Sequence, residues 1–272
     1  MKHSRKGEVS RVVALTVAGS DPSGGAGVQS DLLTFAAFGV HGFSALTAVI
    51  AQSSAKVRKI EPVSPAMLRA QIETVVAERM PAAIKIGALG SAANVRELAR
   101  SIRVLKLPAP VIDPVMISSA GVSLLDKAGV HALIRELVPL ARIVTPNIPE
   151  VEVLSGIRID GDASLREAAR AIFDLGAAAV VIKGGHRARS VQSVDLFFDG
   201  NKFVELRAKR LAGGGAHGTG CAFSAAIAAG LALGESLEVS VRDAKRYVSA
   251  ALRASYRLGG RPLLEHFAAR RR

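Results

Sequence analysis

The sequence predicts an α/β fold with a mostly parallel central sheet, helices on both faces and a small antiparallel hairpin, on three observations. Short β-branched runs alternate with longer helical patterns, the order that builds βαβ units. Apolar residues reach 49% while aromatics are only 4% and Trp is absent, so the core is made of Ala, Val, Leu and Ile, as in parallel strands covered by helices. Glycine-bearing or polar turns follow the strand-like runs, and a parallel sheet gathers such turns on one edge, where open α/β sheets bind ligands.

The 272 residues are read as one domain, 1–272, with basic tails at about 1–11 and 261–272. The formal charge of +13 lies partly in those tails, which are expected to be solvated. No basic face with interleaved aromatics and no nucleic-acid reading motif is found, so no nucleic-acid partner is expected. A basic protein still attracts anionic small molecules such as nucleotides. One cysteine excludes an internal disulfide framework and fits a reducing cytoplasm. The apolar run Val12–Ala18 is short for a signal core and feeds Gly19-Ser20-Asp21-Pro22. Cys221–Leu233 is too short to cross a bilayer, so a protein without a membrane partner is expected. A homodimer is kept open as its assembly.

In chain order, Val12–Ala18 reads as a buried first strand ending in Gly19-Ser-Asp-Pro-Ser-Gly-Gly-Ala-Gly27, before a helical pattern over Val28–Phe38. The glycine spacing matches neither the dinucleotide fingerprint nor the P-loop. Phe43–Ile50 reads as a second strand closed by Gln52, whose side chain offers a donor and an acceptor that match an amino group beside a ring nitrogen. The alternative is a solvated loop Gln. Ser64-Pro65 starts a helix with Met67, Ile72, Val75 and Val76 on one face. Ala83–Leu89 is a strand, and Ser91 begins another helix. Pro110–Pro114 is the next strand, with Asp113 at its tip. The strand from Arg142 stops at Pro146, and Asn147 caps a helix. Asn147 and Glu150 have the spacing of a capping pair, the reading that the spacing favours, but could also organise water around a hydrated Mg²⁺. Ala177–Ile182 is a buried strand ending in Lys183-Gly-Gly-His186, where the Lys is either a mobile phosphate-binding charge or a surface side chain beside a turn. Asp199-Gly200-Asn201-Lys202 joins Val194–Phe198 to Phe203–Leu206 as a hairpin. A final helix covers Leu237–Tyr256.

The chain is organised around Gly213-Gly-Gly-Ala-His-Gly-Thr-Gly-Cys221, which runs into the Ala-rich segment to Leu233. A glycine-rich loop opening a helix is an anion site, because the first N–H groups lack partners and the peptide dipoles add there. The same field is expected to lower the pKa of Cys221 and suit it to proton transfer. The alternative is a turn followed by a core helix with a small buried Cys.

Seven ordered stretches resemble the hydroxymethylpyrimidine/phosphomethylpyrimidine kinases of thiamine biosynthesis, within the ribokinase-like superfamily. They are Ala18–Gln29, Thr47–Gln52, Lys85–Gly87, Asp113–Met116, Thr145–Glu150, Lys183–His186 and His217–Cys221. The resemblance implies a ribokinase-like domain that moves the γ-phosphoryl group of ATP, with Mg²⁺, to a pyrimidine's hydroxymethyl group, and then phosphorylates the monophosphate. It implies that Gln52 reads the pyrimidine edge, that Gly19, Asp31, Ala88 and Val115 line the pocket, and that Gly218, Thr219 and Gly220 form the anion hole. It places Cys221 as the base, Asp113, Asn147 and Glu150 in the Mg²⁺–phosphate region, and Lys183 on the ATP phosphates. The chain departs from the family at Ala88, commonly Met, at Ser53-Ser54 and Gly215-Ala216, each commonly Asn-Thr, and after Met116, where a Lys is absent. These departures bear on the second phosphorylation, which must hold an extra phosphate. Pyridoxal or pyridoxine kinases of the same superfamily, some of which share Gly-Thr-Gly-Cys, are the alternative, and a non-catalytic ligand-binding protein is a further one.

Overall fold

A computed structural model describes residues 11–53, 56–118, 121–184, 192–210 and 216–268. The elements are β1 (Val13–Ala18), α1 (Gly27–Ala37), β2 (His41–Leu46), β3 (Ala48–Gln52), β4 (Val57–Pro62), α2 (Pro65–Glu78), β5 (Ala83–Ile86), α3 (Ala92–Val104), β6 (Val111–Ile112) and α4 (Lys127–Ala132). They continue with β7 (Ile143–Val144), α5 (Ile148–Ser155), α6 (Asp162–Asp174), β8 (Val180–Ile182), β9 (Gln192–Phe198), β10 (Phe203–Lys209), α7 (Thr219–Ala232), α8 (Leu237–Arg253), β11 (Tyr256–Leu258) and β12 (Arg261–Leu263).

The main sheet has the order β10-β9-β8-β7-β6-β5-β1-β2. It is parallel from β8 to β2, with β9 and β10 added antiparallel at one edge. This is the expected architecture, hairpin included. Side chains alternate across the strands into two cores. Leu15 and Val17 of β1 face a cluster built with α2, α3 and α6, whereas Ala14 faces one built with α1, α7 and α8. The second core is rich in alanine on the α7 side, where Ala222, Ala225, Ala226, Ala228 and Ala229 are buried beside Phe223 and Ile227. Small side chains let α7 lie close over the sheet, which brings its first turn to the strand tips.

The structure corrects four local expectations. Phe43–Ile50 is not one strand: the chain leaves the sheet at Leu46–Thr47, and Ala48–Gln52 pairs instead with Val57–Pro62 in a separate antiparallel hairpin. Side chains from two helices take the ladder positions at the break. Gln71 accepts from Leu46 N–H at 2.8 Å and donates to Leu46 C=O at 3.0 Å, and Asn94 donates to Thr47 C=O at 3.1 Å. Met67 is exposed, and Leu68 takes the buried place on α2 beside Ile72. α8 ends at Arg253, so Tyr256 belongs to β11. The run from Arg261 begins as packed structure rather than a solvated tail, since β12 forms there and Leu263, Leu264 and His266 are buried. No helix among the described residues is long and apolar enough to cross a membrane.

Candidate active site

The carboxyl ends of β1, β5, β6, β7 and β8 open together under the first turn of α7, around a cavity of about 540 Å³. Gly19, Gln52, Ala88, Val115, Asp113, Asn147, Glu150, Lys183, Gly218, Gly220 and Cys221 all line it. Asp31 and Thr219 do not. Gly213, Gly214 and Gly215, with Ser54, Gly185 and His186, lie outside the described residues.

Two glycine-bearing turns are clasped against each other at the mouth. Asp21 is fully buried, and it accepts hydrogen bonds from Ser23 N–H at 2.9 Å, Ser23 Oγ at 2.8 Å and Ala26 N–H at 2.9 Å. Its Oδ2 also lies 2.7 Å from His217 Nε2. Burial alone pushes this carboxyl up, but the hydrogen bonds from His217 and Ser23 win and hold it at about 2. The carboxylate therefore ties the loop after β1 to the loop before α7. His217 has this role only through its partner Asp21, 196 positions away, so the sequence alone gave it none. Two glycines allow the contact. Gly218 has φ of 81°, and a Cβ there would sit 1.7 Å from Gly25 C=O. At Gly27, with φ of 59°, a Cβ would sit 2.4 Å from Gly19 C=O.

Gly218 is the residue before α7 and supplies no side-chain cap, and with Gly220 and Cys221 it lines the cavity, so the start of α7 offers the cavity an anion site. Gly220 keeps that surface open, since a Cβ on it would come within 3.2 Å of Lys183 Nζ and 3.6 Å of Asp113 Oδ2. Thr219 Oγ donates to Ala216 C=O at 2.6 Å, so its side chain braces the loop. The Cys221 expectation is corrected in its sign. The thiol is half-buried, and burial pushes it up to about 11, with Lys85 opposing this. Desolvation of the thiolate, with the carboxylates of Asp31 and Asp113 adding to it, outweighs the pull of Lys85.

Two buried ion pairs form the polar floor. Lys183 Nζ donates to Asp113 Oδ1 at 2.6 Å. Burial draws that ammonium toward neutrality, but Asp113 and Glu150 outweigh it and raise its pKa. Lys85 Nζ lies 2.7 Å from Asp31 Oδ2, both side chains having no exposed area, and Thr16 donates to the same oxygen at 2.6 Å. Asp31 is thus placed behind Lys85 rather than on the pocket wall, and Lys85 is the lining residue. Its charge was overlooked in the sequence because a Lys inside the apolar run Ala83–Ile86 carries no periodic signal.

At the start of α5, the capping pair is present: Asn147 Oδ1 accepts from Glu150 N–H at 3.0 Å and Glu150 Oε2 accepts from Asn147 N–H at 2.8 Å. Burial nevertheless pushes Glu150 up to about 7, with Lys183 pulling it down and Asp113 adding to the rise. Among the described residues no group of three His, Cys, Asp or Glu could hold a metal ion. Asp113 and Glu150 offer two carboxylates on one cavity wall, which fits a hydrated Mg²⁺ held mainly by phosphates and by one or two carboxylates.

The opposite wall is apolar. Ala88 and Val115 pack with Ala48, Ile50 and Leu124 under the β3–β4 hairpin. Gln52 ends β3, where the pairing with β4 shifts register. The cavity therefore combines an apolar side, with Gln52 among its lining residues, and a cationic, anion-binding side at the start of α7.

Residues 21–263 match the sequence model of the phosphomethylpyrimidine kinase family. The chain is 44% identical over 259 residues to the hydroxymethylpyrimidine/phosphomethylpyrimidine kinase of Rhizobium meliloti, covering 94% of this chain and 97% of that protein. Among solved structures it is similar to the pyridoxal kinase of Staphylococcus aureus in complex with AMP-PCP and pyridoxal, with a TM-score of 0.87, 34% identity and coverage of 95% and 94%. It is also similar to the phosphomethylpyrimidine kinase of Clostridium difficile, with a TM-score of 0.78, 37% identity and coverage of 88% and 98%.

Proposed function

Given that the chain belongs to the phosphomethylpyrimidine kinase family, we propose that its cavity phosphorylates the hydroxymethyl group of 4-amino-5-hydroxymethyl-2-methylpyrimidine from ATP, and then the monophosphate, in thiamine biosynthesis. The observation that carries this reading is the two-sided cavity. An amide and an apolar side suit an aminopyrimidine, and the helix start with Lys183 beneath it suits the transferred phosphoryl group.

Phosphoryl transfer needs alignment and charge neutralisation more than covalent help. Gln52 pairs its donor and acceptor with the amino group and adjacent ring nitrogen, while Gly19, Ala88 and Val115 hold the ring faces. That fixes the hydroxymethyl group toward Cys221. The N–H groups of the Gly218–Cys221 turn receive the charge that develops on the phosphoryl oxygens, and Lys183 follows that charge with its ammonium. Asp113 and Glu150 would hold hydrated Mg²⁺, which supplies further charge neutralisation on the phosphates when bound. Cys221 takes the hydroxyl proton; its high pKa makes it a base only in a small thiolate fraction, which is compatible with a loose transition state that asks little of the base.

A pyridoxal kinase is the second reading, and the short side chain of Ala88 favours it by leaving room at the ring. The test is a mass analysis of products from the pyrimidine alcohol and from pyridoxal, each with MgATP. The expected outcome is pyrimidine monophosphate and diphosphate at a higher kcat/KM than pyridoxal phosphate. A clear preference for pyridoxal would replace the first reading by the second.

A further inference from the structure

The buried pair Lys85–Asp31 has no evident structural need. A buried ion pair loses most of its attraction to desolvation, and apolar residues of equal volume hold a core as well. This pair nevertheless sits at the junction of two chemistries. Lys85 comes from the middle of the sheet, on β5, and lines the same cavity as Cys221. Asp31 reaches it from α1 at 2.7 Å, and Thr16 of β1 braces the carboxylate. The second carboxylate oxygen, Oδ1, is buried without any hydrogen-bond partner. A purely structural pair would be expected to satisfy that oxygen.

Gly87 follows on the same strand end, and a Cβ there would lie 2.8 Å from Lys85 Nζ. The glycine thus leaves the ammonium room at the cavity floor.

We propose that Lys85, locked in place by Asp31, is a positioning residue for the transfer reaction: its fixed ammonium acts through Cys221, sustaining the thiolate that accepts the proton of the acceptor hydroxyl. The inference rests on the kinase reading above. In the step, the hydroxyl O–H bond breaks and its proton passes to the Cys221 sulfur. The oxygen's electron pair forms the new O–P bond as the bond from the γ-phosphorus to the ADP oxygen breaks, and ADP leaves with that pair. The thiol afterwards returns its proton to water. Neither an oxidant nor a further reactant is involved.

The electrostatics agree with the geometry. Asp31, Cys221 and Asp113 all raise the pKa of Lys85, which keeps it charged despite burial, and Lys85 in turn lowers that of Cys221. The charged or titratable groups facing Lys85 are thus Asp31 from α1, Cys221 from α7 and Asp113 at the end of β6. Lys183 and Glu150 stand beyond Asp113.

Because Cys221 is the only cysteine of the chain, the rate of alkylation by iodoacetamide as a function of pH reads its ionisation without any substrate. Removing Lys85 alone would strand a buried carboxylate, so Lys85→Met is made together with Asp31→Asn and the double variant is compared with the wild type, with thermal unfolding as the check on folding. The double variant is expected to move the pH of half-maximal alkylation up by about half a unit, because the cation acts on the thiol more strongly than the carboxylate behind it. The corresponding loss of thiolate predicts that kcat near neutral pH falls about threefold relative to the wild type, with the gap narrowing as pH rises. KM for ATP is expected to stay within about twofold. Lys85→Arg with Asp31 retained keeps the charge and should leave the alkylation profile close to that of the wild type. An alkylation profile that the double variant leaves unmoved in a folded protein overturns the inference. Failure of the wild-type chain to phosphorylate either alcohol overturns the kinase reading instead, while the alkylation experiment still decides the Lys85–Cys221 coupling.

Discussion

At the scale of single residues, the site depends on positions where no other side chain fits. Gly218 combines a left-handed backbone with a carbonyl that would lie 1.7 Å from any Cβ, so Gly218→Ala has to push the two loops apart and tilt the anion-binding turn. Steady-state kinetics are expected to show kcat/KM down by about 100-fold, the usual consequence of misplacing a reacting group by about 1 Å, with the α-helical circular dichroism retained. Asp21 locks the same loops electrostatically. Its carboxyl is held at about 2 against an ordinary value of 3.8, and a depressed carboxylate pKa stabilises the fold above the unfolded value and stops doing so as pH falls through the folded one. Urea unfolding should therefore show about 2 kcal/mol of wild-type stability disappearing between pH 5 and about 2. The Asp21→Asn variant is expected to lack this part of the pH dependence. Gly19, Gln52 and Lys183 stand out in the sequence by their places after strand-like runs, Gln52 and Lys183 each with a solvated alternative, and the structure puts all three on the cavity lining, whereas the orientation of the Thr219 side chain was not legible, because it is decided by Ala216 C=O.

At the scale of elements, the parallel strands were legible from short apolar runs, because burial on both faces leaves a nearly continuous apolar signal. The β3–β4 hairpin was not. Its first strand continues the apolar run of β2, and the break at Thr47 comes from Gln71 and Asn94, two side chains on helices distant in sequence. The hairpin matters because it carries Gln52 and closes the apolar side of the cavity through Ile50. Ile50→Ala should loosen that closure while leaving the phosphate end untouched. KM for the pyrimidine alcohol is then expected to rise about tenfold, the worth of the few methyl groups removed from a binding slot, with kcat and KM for ATP changed less than threefold. An equal fall in kcat would show that the hairpin also shapes the transition state. The capping pair at α5 was correctly favoured by spacing, and it serves the site as well, since it presents Glu150 to the cavity.

At the scale of the whole molecule, the chain carries a formal charge of +13, and the proposed phosphoryl donor, ATP, is an anion. Long-range attraction of this kind acts on association and is screened within about 10 Å at 0.1 M salt. Raising the salt from about 10 to about 200 mM should therefore lower kcat/KM for ATP several-fold while leaving kcat unchanged, which initial-rate measurements at fixed Mg²⁺ can check. The sequence by itself determined the alternation of strands and helices, the glycine loops and the polar tips, because periodicity and turn chemistry are local properties. It also determined the family, through ordered stretches from Ala18 to Cys221. Only the tertiary structure decided that Asp31 stands behind Lys85, that His217 clasps Asp21, and that burial raises the thiol of Cys221 which a helix start alone would lower. Desolvation and pairing depend on which distant groups meet in space, and a linear pattern carries no record of that meeting.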